Sequence, residues 1–80
     1  MTFSDKIKRA REVAGFTQQQ LADQVGVSKR TIAAYESTDA KARPSTMRKL
    51  AEALGVSTDY LAREEITDPK YGLEKQPYVE

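Results

Sequence analysis

Apolar side chains recur at three- and four-residue intervals from Ile7 to Leu61, and each run is preceded by a residue suited to capping a helix. Ile7, Ala10 and Ala14 share one face of a first helix, which Ser4 is placed to cap and Asp5 to favour in its first turn. Gly15 ends it. Thr17 and Gln20 then stand at the spacing of a capping box, and Leu21, Ala22 and Val25 make the buried face of a second helix that stops at Gly26. Ser28 caps a third helix with Ile32, Tyr35 and Glu36 on one side, and residues 37–44 read as a loop ending at Pro44. Ser45 is placed to cap a fourth helix with Leu50, Ala51 and Leu54 inward, closed by Gly55, and Ser57 or Thr58 opens a short fifth carrying Tyr60 and Leu61. No stretch alternates apolar and polar residues for long enough to be a central strand. The pattern predicts an all-α fold, a compact five-helix bundle.

The stretch from Gln18 to Ser37 carries the functional signal. It predicts a short helix, a tight turn at Gly26 and a second helix whose tip shows Lys29 and Arg30. Ala22 is small enough for the two helices to cross closely, and Val25 and Val27 flank the glycine as plugs for the core beneath it. Two helices set steeply against each other, the second with a basic N-terminal end, make a shape that enters a DNA major groove.

Composition narrows the remaining classes. Eighty residues allow one small domain. With no histidine and no cysteine, the chain lacks the commonest metal ligand, the commonest general base and a thiol nucleophile. Its four glycines, at 15, 26, 55 and 72, are each explicable as a cap or turn, and none belongs to a phosphate-cradling loop. An enzyme is therefore not expected, nor is a cofactor, a metal or a small-molecule ligand. No apolar run approaches the roughly 18 residues that span a bilayer, and the opening Met-Thr-Phe-Ser-Asp-Lys-Ile-Lys-Arg is charged, so a cytoplasmic protein without membrane contact is expected. The net charge is only +1, but its distribution is uneven. Residues 1–62 hold ten Lys/Arg against seven Asp/Glu, and residues 63–80 hold three against five. A basic folded part, 1–62, followed by an acidic tail or linker, 63–80, is the expected organisation, with the basic excess suited to nucleic acid.

At these residues the chain resembles the lambda-repressor/Cro-like, or Xre, helix-turn-helix family of phage and bacterial regulators. The resemblance covers residues 4–62. It rests on Arg11, Gly15, Thr17-Gln18, Leu21-Ala22, Gly26-Val27-Ser28, Ile32, Tyr35-Glu36, Pro44 and the ending from Leu50 to Leu61. It implies that Arg11 and Glu36, which residue type alone would leave as surface charges, form a largely buried ion pair tying the first helix to the end of the third. The family often has Asn-Gly or a similar turn after the glutamate. Here the chain runs Ser-Thr-Asp-Ala-Lys-Ala-Arg-Pro, with Asp39 close to where phosphates would lie.

With Ile32, Tyr35 and Glu36 inward, the 100° step per residue turns Arg30, Ala33, Ala34 and Ser37 outward. Arg30 suits two hydrogen bonds to a guanine, Lys29 suits either a base or a phosphate, and Ala33 and Ala34 suit contact with thymine methyl groups. Gln18, at the first position of the second helix, suits a phosphate beside the free N–H groups there. Ser28, Thr31, Ser37, Lys41 and Arg43 complete the expected phosphate contacts, which position a protein without reading sequence. The resemblance further implies a homodimer, at least on double-stranded DNA, through Arg43, Pro44, Met47, Ser57, Thr58 and Tyr60; a core or rim position for Tyr60 is the competing reading. The function these features imply is a sequence-specific transcription regulator, a phage- or prophage-type repressor on a near-palindromic operator. The alternative is a protein-binding adaptor or antitoxin-like partner of the same fold. The tail, with Ile66, Tyr71, Leu73, Tyr78 and Val79 among its charges and prolines, reads as a flexible linker, a segment docked on the domain, part of a dimer contact or a lead into a further domain.

Overall fold

The protein's computed structural model describes residues 2–38 and 42–69. Five helices follow in order: α1 (Phe3–Ala14), α2 (Gln18–Val25), α3 (Lys29–Ser37), α4 (Pro44–Leu54) and α5 (Thr58–Ala62). No strand occurs among the described residues. Ile7, Leu21, Ile32, Leu50 and Leu61 are sealed from solvent and come one from each helix, so the core sits where all five converge. Ala22 is equally sealed, and its missing bulk lets α2 and α3 cross closely.

Thr17 caps α2 as the spacing predicts: its hydroxyl accepts from the Gln20 N–H while the Gln20 side-chain oxygen Oε1 accepts from the Thr17 N–H at 2.8 Å. Three other readings need correction. Thr2, not Ser4, caps α1, in a reciprocal box with Asp5. Ser4 lies within the helix, buried, and its hydroxyl donates to the Thr38 carbonyl, tying the start of α1 to the end of α3. Helix α4 starts at Pro44 rather than after Ser45, because the fixed proline φ suits a first helical position where an N–H would be unpaired anyway; Arg43 is its N-cap, without a side-chain cap bond. Ala14 is exposed rather than on the buried face of α1.

The turn between α2 and α3 requires glycine. Gly26 has φ +84°, and its N–H and that of Val27 both donate to the Ala22 carbonyl, at 2.8 and 3.0 Å. A Cβ at Gly26 would meet no atom within 4 Å, so the cost of a side chain there is backbone strain alone. Gly26→Ala is expected to lose about 1–2 kcal/mol of unfolding free energy and Gly26→Asn less, as read by urea denaturation. A larger loss for Asn than for Ala would show that the left-handed turn is not what selects glycine.

Beyond α5 the chain stays on the bundle, past residue 62, where the charge pattern places the start of a tail. Ile66 is buried in the core, and the Ser57 N–H donates to the Pro69 carbonyl at 2.7 Å. What holds this strap, residues 63–69, is a side chain that the apolar pattern does not reveal. Lys6 on α1 is fully buried, and its ammonium donates to the carbonyls of Tyr60 (2.7 Å), Arg63 (2.7 Å) and Ile66 (2.6 Å) while lying 4.5 Å from the centre of the Tyr60 ring. An ammonium has three donors, and here they meet three carbonyls. One of those carbonyls is at the C-terminal end of α5, where a positive charge is favoured. Residues 39–41 and 70–80, including Lys41, lie outside the described residues.

Candidate nucleic-acid interface

Helix α3 begins with Ser28 as its N-cap, whose hydroxyl accepts from the Thr31 N–H at 3.1 Å and pairs with the Thr31 hydroxyl at 2.9 Å. This cap fixes where the helix starts, and so places Lys29 and Arg30 in its first turn. Both are exposed, as are Ala34 and Ser37, whereas Ala33 and Thr31 are half-buried. The opposite side is anchored along its length. Ile32 is sealed in the core, and Tyr35 meets Phe3 edge-on with centroids 5.8 Å apart. The outward face therefore consists of two cations, short side chains and hydroxyls on a helix whose other side is packed.

The ion pair ties the first three helices together. Arg11 Nε donates to Glu36 Oε2 at 2.6 Å and Nη2 to Oε1 at 3.2 Å, a forked pair whose side chains are 13% and 5% exposed. Nη1 donates to the Phe16 carbonyl at 2.8 Å, which fastens the α1–α2 connection to the same guanidinium. The hydrogen bond to Glu36 raises the Arg11 pKa above its ordinary value, against the opposing effect of burial, so Arg11 stays charged over any working pH. Gln18 completes the network: its Nε2 donates to Glu36 Oε1 at 3.1 Å. One carboxylate on α3 thus gathers groups from the body of α1 and the first residue of α2. The start of α2, with its outward-pointing first-turn N–H groups, is held in fixed relation to the start of α3. The capping-box signal locates Gln18, but its tie to Glu36 was not legible, because it depends on the crossing of the two helices.

Of the other expected phosphate contacts, Ser37 Oγ donates to the Ala33 carbonyl at 2.7 Å and is exposed. Arg43 is exposed at the start of α4, and Lys41 lies outside the described residues. The residues expected to meet a second copy separate into two groups. Pro44 is exposed and Thr58 half-buried, on either side of a groove of about 360 Å³ between α4 and α5. Met47 faces this groove but is 5% exposed and packs in the core. Ser57 is a correction, and Tyr60 takes the core position that is its competing reading: both are buried within the chain, the Ser57 hydroxyl accepting the Tyr60 N–H at 2.9 Å and the Tyr60 ring covering Lys6. Arg48, Ala42 and Ala62 line the same groove and were missed. Arg48 stands four residues after Pro44, which puts the two on one face of α4.

No helix among the described residues is long and apolar enough to cross a membrane. A family model described as helix-turn-helix matches residues 7–61. Among solved structures, the solution structure of the DNA-binding domain of the P22 C2 repressor is similar, with a TM-score of 0.75 and 25% sequence identity over 84% of this chain and 88% of that one. Comparison with curated proteins returns no match.

Proposed function

From its membership of the helix-turn-helix family of the lambda repressor/Cro-like, Xre type, to which this chain belongs, we propose that it is a phage- or prophage-type repressor that binds a near-palindromic operator as a dimer. A DNA-binding regulator is the common ground of the family and of the similar repressor domain. The observation that carries the finer reading is the exposed Lys29–Arg30 pair in the capped first turn of α3, beside a Gln18 braced on the Arg11–Glu36 pair. Docked in a major groove, such a helix reads bases with its N-terminal residues. Arg30 takes a guanine through its O6 and N7, Lys29 takes a neighbouring base or phosphate, and Ala33 and Ala34 lie against thymine methyl groups. The first turn of α2 at Gln18, the hydroxyls of Ser28, Thr31 and Ser37, and the cations Lys41 and Arg43 take phosphates on either side. A single recognition helix covers too few base pairs to select one site in a genome. A second copy joined across the Pro44–Thr58 groove would place two such helices about one DNA turn apart, roughly 34–36 Å. The regulator works in the cytoplasm, where its operator is.

Selection of bound duplexes from a random pool tests this reading. The enriched sites are expected to be near-palindromes with half-sites one turn apart, and binding is expected to weaken steeply with salt. Enrichment of single, asymmetric sites would remove the dimer. Binding to no duplex would favour the protein-binding adaptor. On the enriched site, Arg30→Ala is expected to cost about 1–3 kcal/mol and to relax the base preference at one position of each half-site. Equal weakening on random DNA would make Arg30 a phosphate contact instead.

A further inference from the structure

A second groove, about 300 Å³, lies on α1, α4, α5 and the strap, and none of its walls belongs to α2 or α3. Arg9 and Val13 of α1, Leu54 and Val56 at the end of α4, and Pro69 line it. Val13 is 81% exposed, the large apolar side chain left open to solvent among the described residues. It stands out among the described residues, whose other large apolar side chains pack in the core or against it.

We propose that this groove seats the chain's own C-terminal segment, with Tyr71 and Leu73 against Val13 and Val56 and the Glu74 carboxylate on Arg9. Three observations point to this occupant rather than another. The strap delivers the chain to the groove: Lys6 grips the carbonyls of Arg63 and Ile66, the Ser57 N–H holds that of Pro69, and Pro69 is itself a wall. Tyr71 and Leu73 follow two and four residues later, and at about 3.3 Å per residue both fall within roughly 13 Å of the anchored carbonyl. Residues two apart share a face of extended chain, so a segment laid along the groove in extended form would bring both apolar side chains to it together. Charge enters locally: Arg9 is the charged residue in the groove wall and Glu74 directly follows Leu73, while Lys70 and Lys75 balance Glu74 and Glu80 over the segment as a whole. This inference is independent of DNA binding.

Methyl and aromatic NMR of the full chain, free of DNA, tests it. Val13 methyl protons are expected to show contacts with the Tyr71 ring. Tyr71→Ser is expected to shift the Val13 and Val56 methyl signals. Val13→Asp, at an exposed position the fold does not need, is expected to move the Tyr71 and Leu73 signals to unstructured-peptide values. In a mixed sample of labelled and unlabelled chains the contacts should stay within one chain. Contacts that cross between chains would make the occupant a second copy and overturn the proposal. Val13 and Val56 signals indifferent to Tyr71→Ser would overturn it as well.

Discussion

Lys6→Ala is expected to remove about 3–5 kcal/mol of unfolding free energy, close to the whole stability of a domain this size. The ammonium is fully buried and meets three backbone carbonyls and a ring face. A buried charge is tolerated only when its hydrogen bonds are complete, and its removal leaves the acceptors without a donor. Lys6→Met separates the two contributions. Methionine nearly keeps the aliphatic stem that crosses the core but still orphans the carbonyls of Tyr60, Arg63 and Ile66. It is therefore expected to cost nearly as much as alanine. Urea unfolding gives the magnitude, and amide exchange gives the place: the protection of the Ile66 amide, which bonds to the Arg63 carbonyl at 3.2 Å, should fall first. A loss under about 1 kcal/mol for Lys6→Met would show that the strap is held by apolar packing alone.

The second large effect is at the Arg11–Glu36 pair. Arg11→Met and Glu36→Leu are each expected to cost about 3–5 kcal/mol, since each strands an almost buried charge in a site built for its opposite. Glu36→Leu also deprives Gln18 Nε2 of its acceptor, and Arg11→Met frees the Phe16 carbonyl. The double variant should cost far less than the two losses added, because it leaves no lone charge behind. Its DNA affinity should nevertheless stay low even where its stability is restored, because the network that fixes α2 against α3 is gone. A double variant that recovers both stability and full affinity would mean that apolar packing alone sets the recognition helix. Additive losses would mean that the pair does not act as a unit.

Signals that act within a few residues were legible in the sequence. The capping box at Thr17 and Gln20, the glycine stop at Gly26, the cap at Ser28 and the inward Ile32 are local events, each fixed by backbone chemistry over one turn. They sufficed to place α2 and α3, and hence the outward position of Lys29 and Arg30. The cap of α1 was misplaced because Thr2 and Ser4 are both good capping residues. The local box of Thr2 with Asp5 separates them, and Ser4, already inside the helix, bonds across the fold to Thr38 instead. Lys6 was illegible for a different reason. A lysine on an amphipathic helix reads as solvated, and only the return of the chain through Arg63 and Ile66 turns it into a clamp. Burial of Ser57 and Tyr60 goes with that return as well, which is why the sequence reads Ser57 as surface and leaves Tyr60 open between surface and core. The role of Arg11 and Glu36 came from resemblance, since nothing in their spacing of 25 residues foretells a contact.

The most direct test of the central claim is an amide spectrum of the full chain recorded as the duplex best bound in selection is added. The account predicts shifts concentrated at Gln18 and from Ser28 to Ala34, with the amides of Arg9, Val13 and Val56 unmoved. Shifts centred on the Val13 groove, or a spectrum unchanged at saturating duplex, would contradict it.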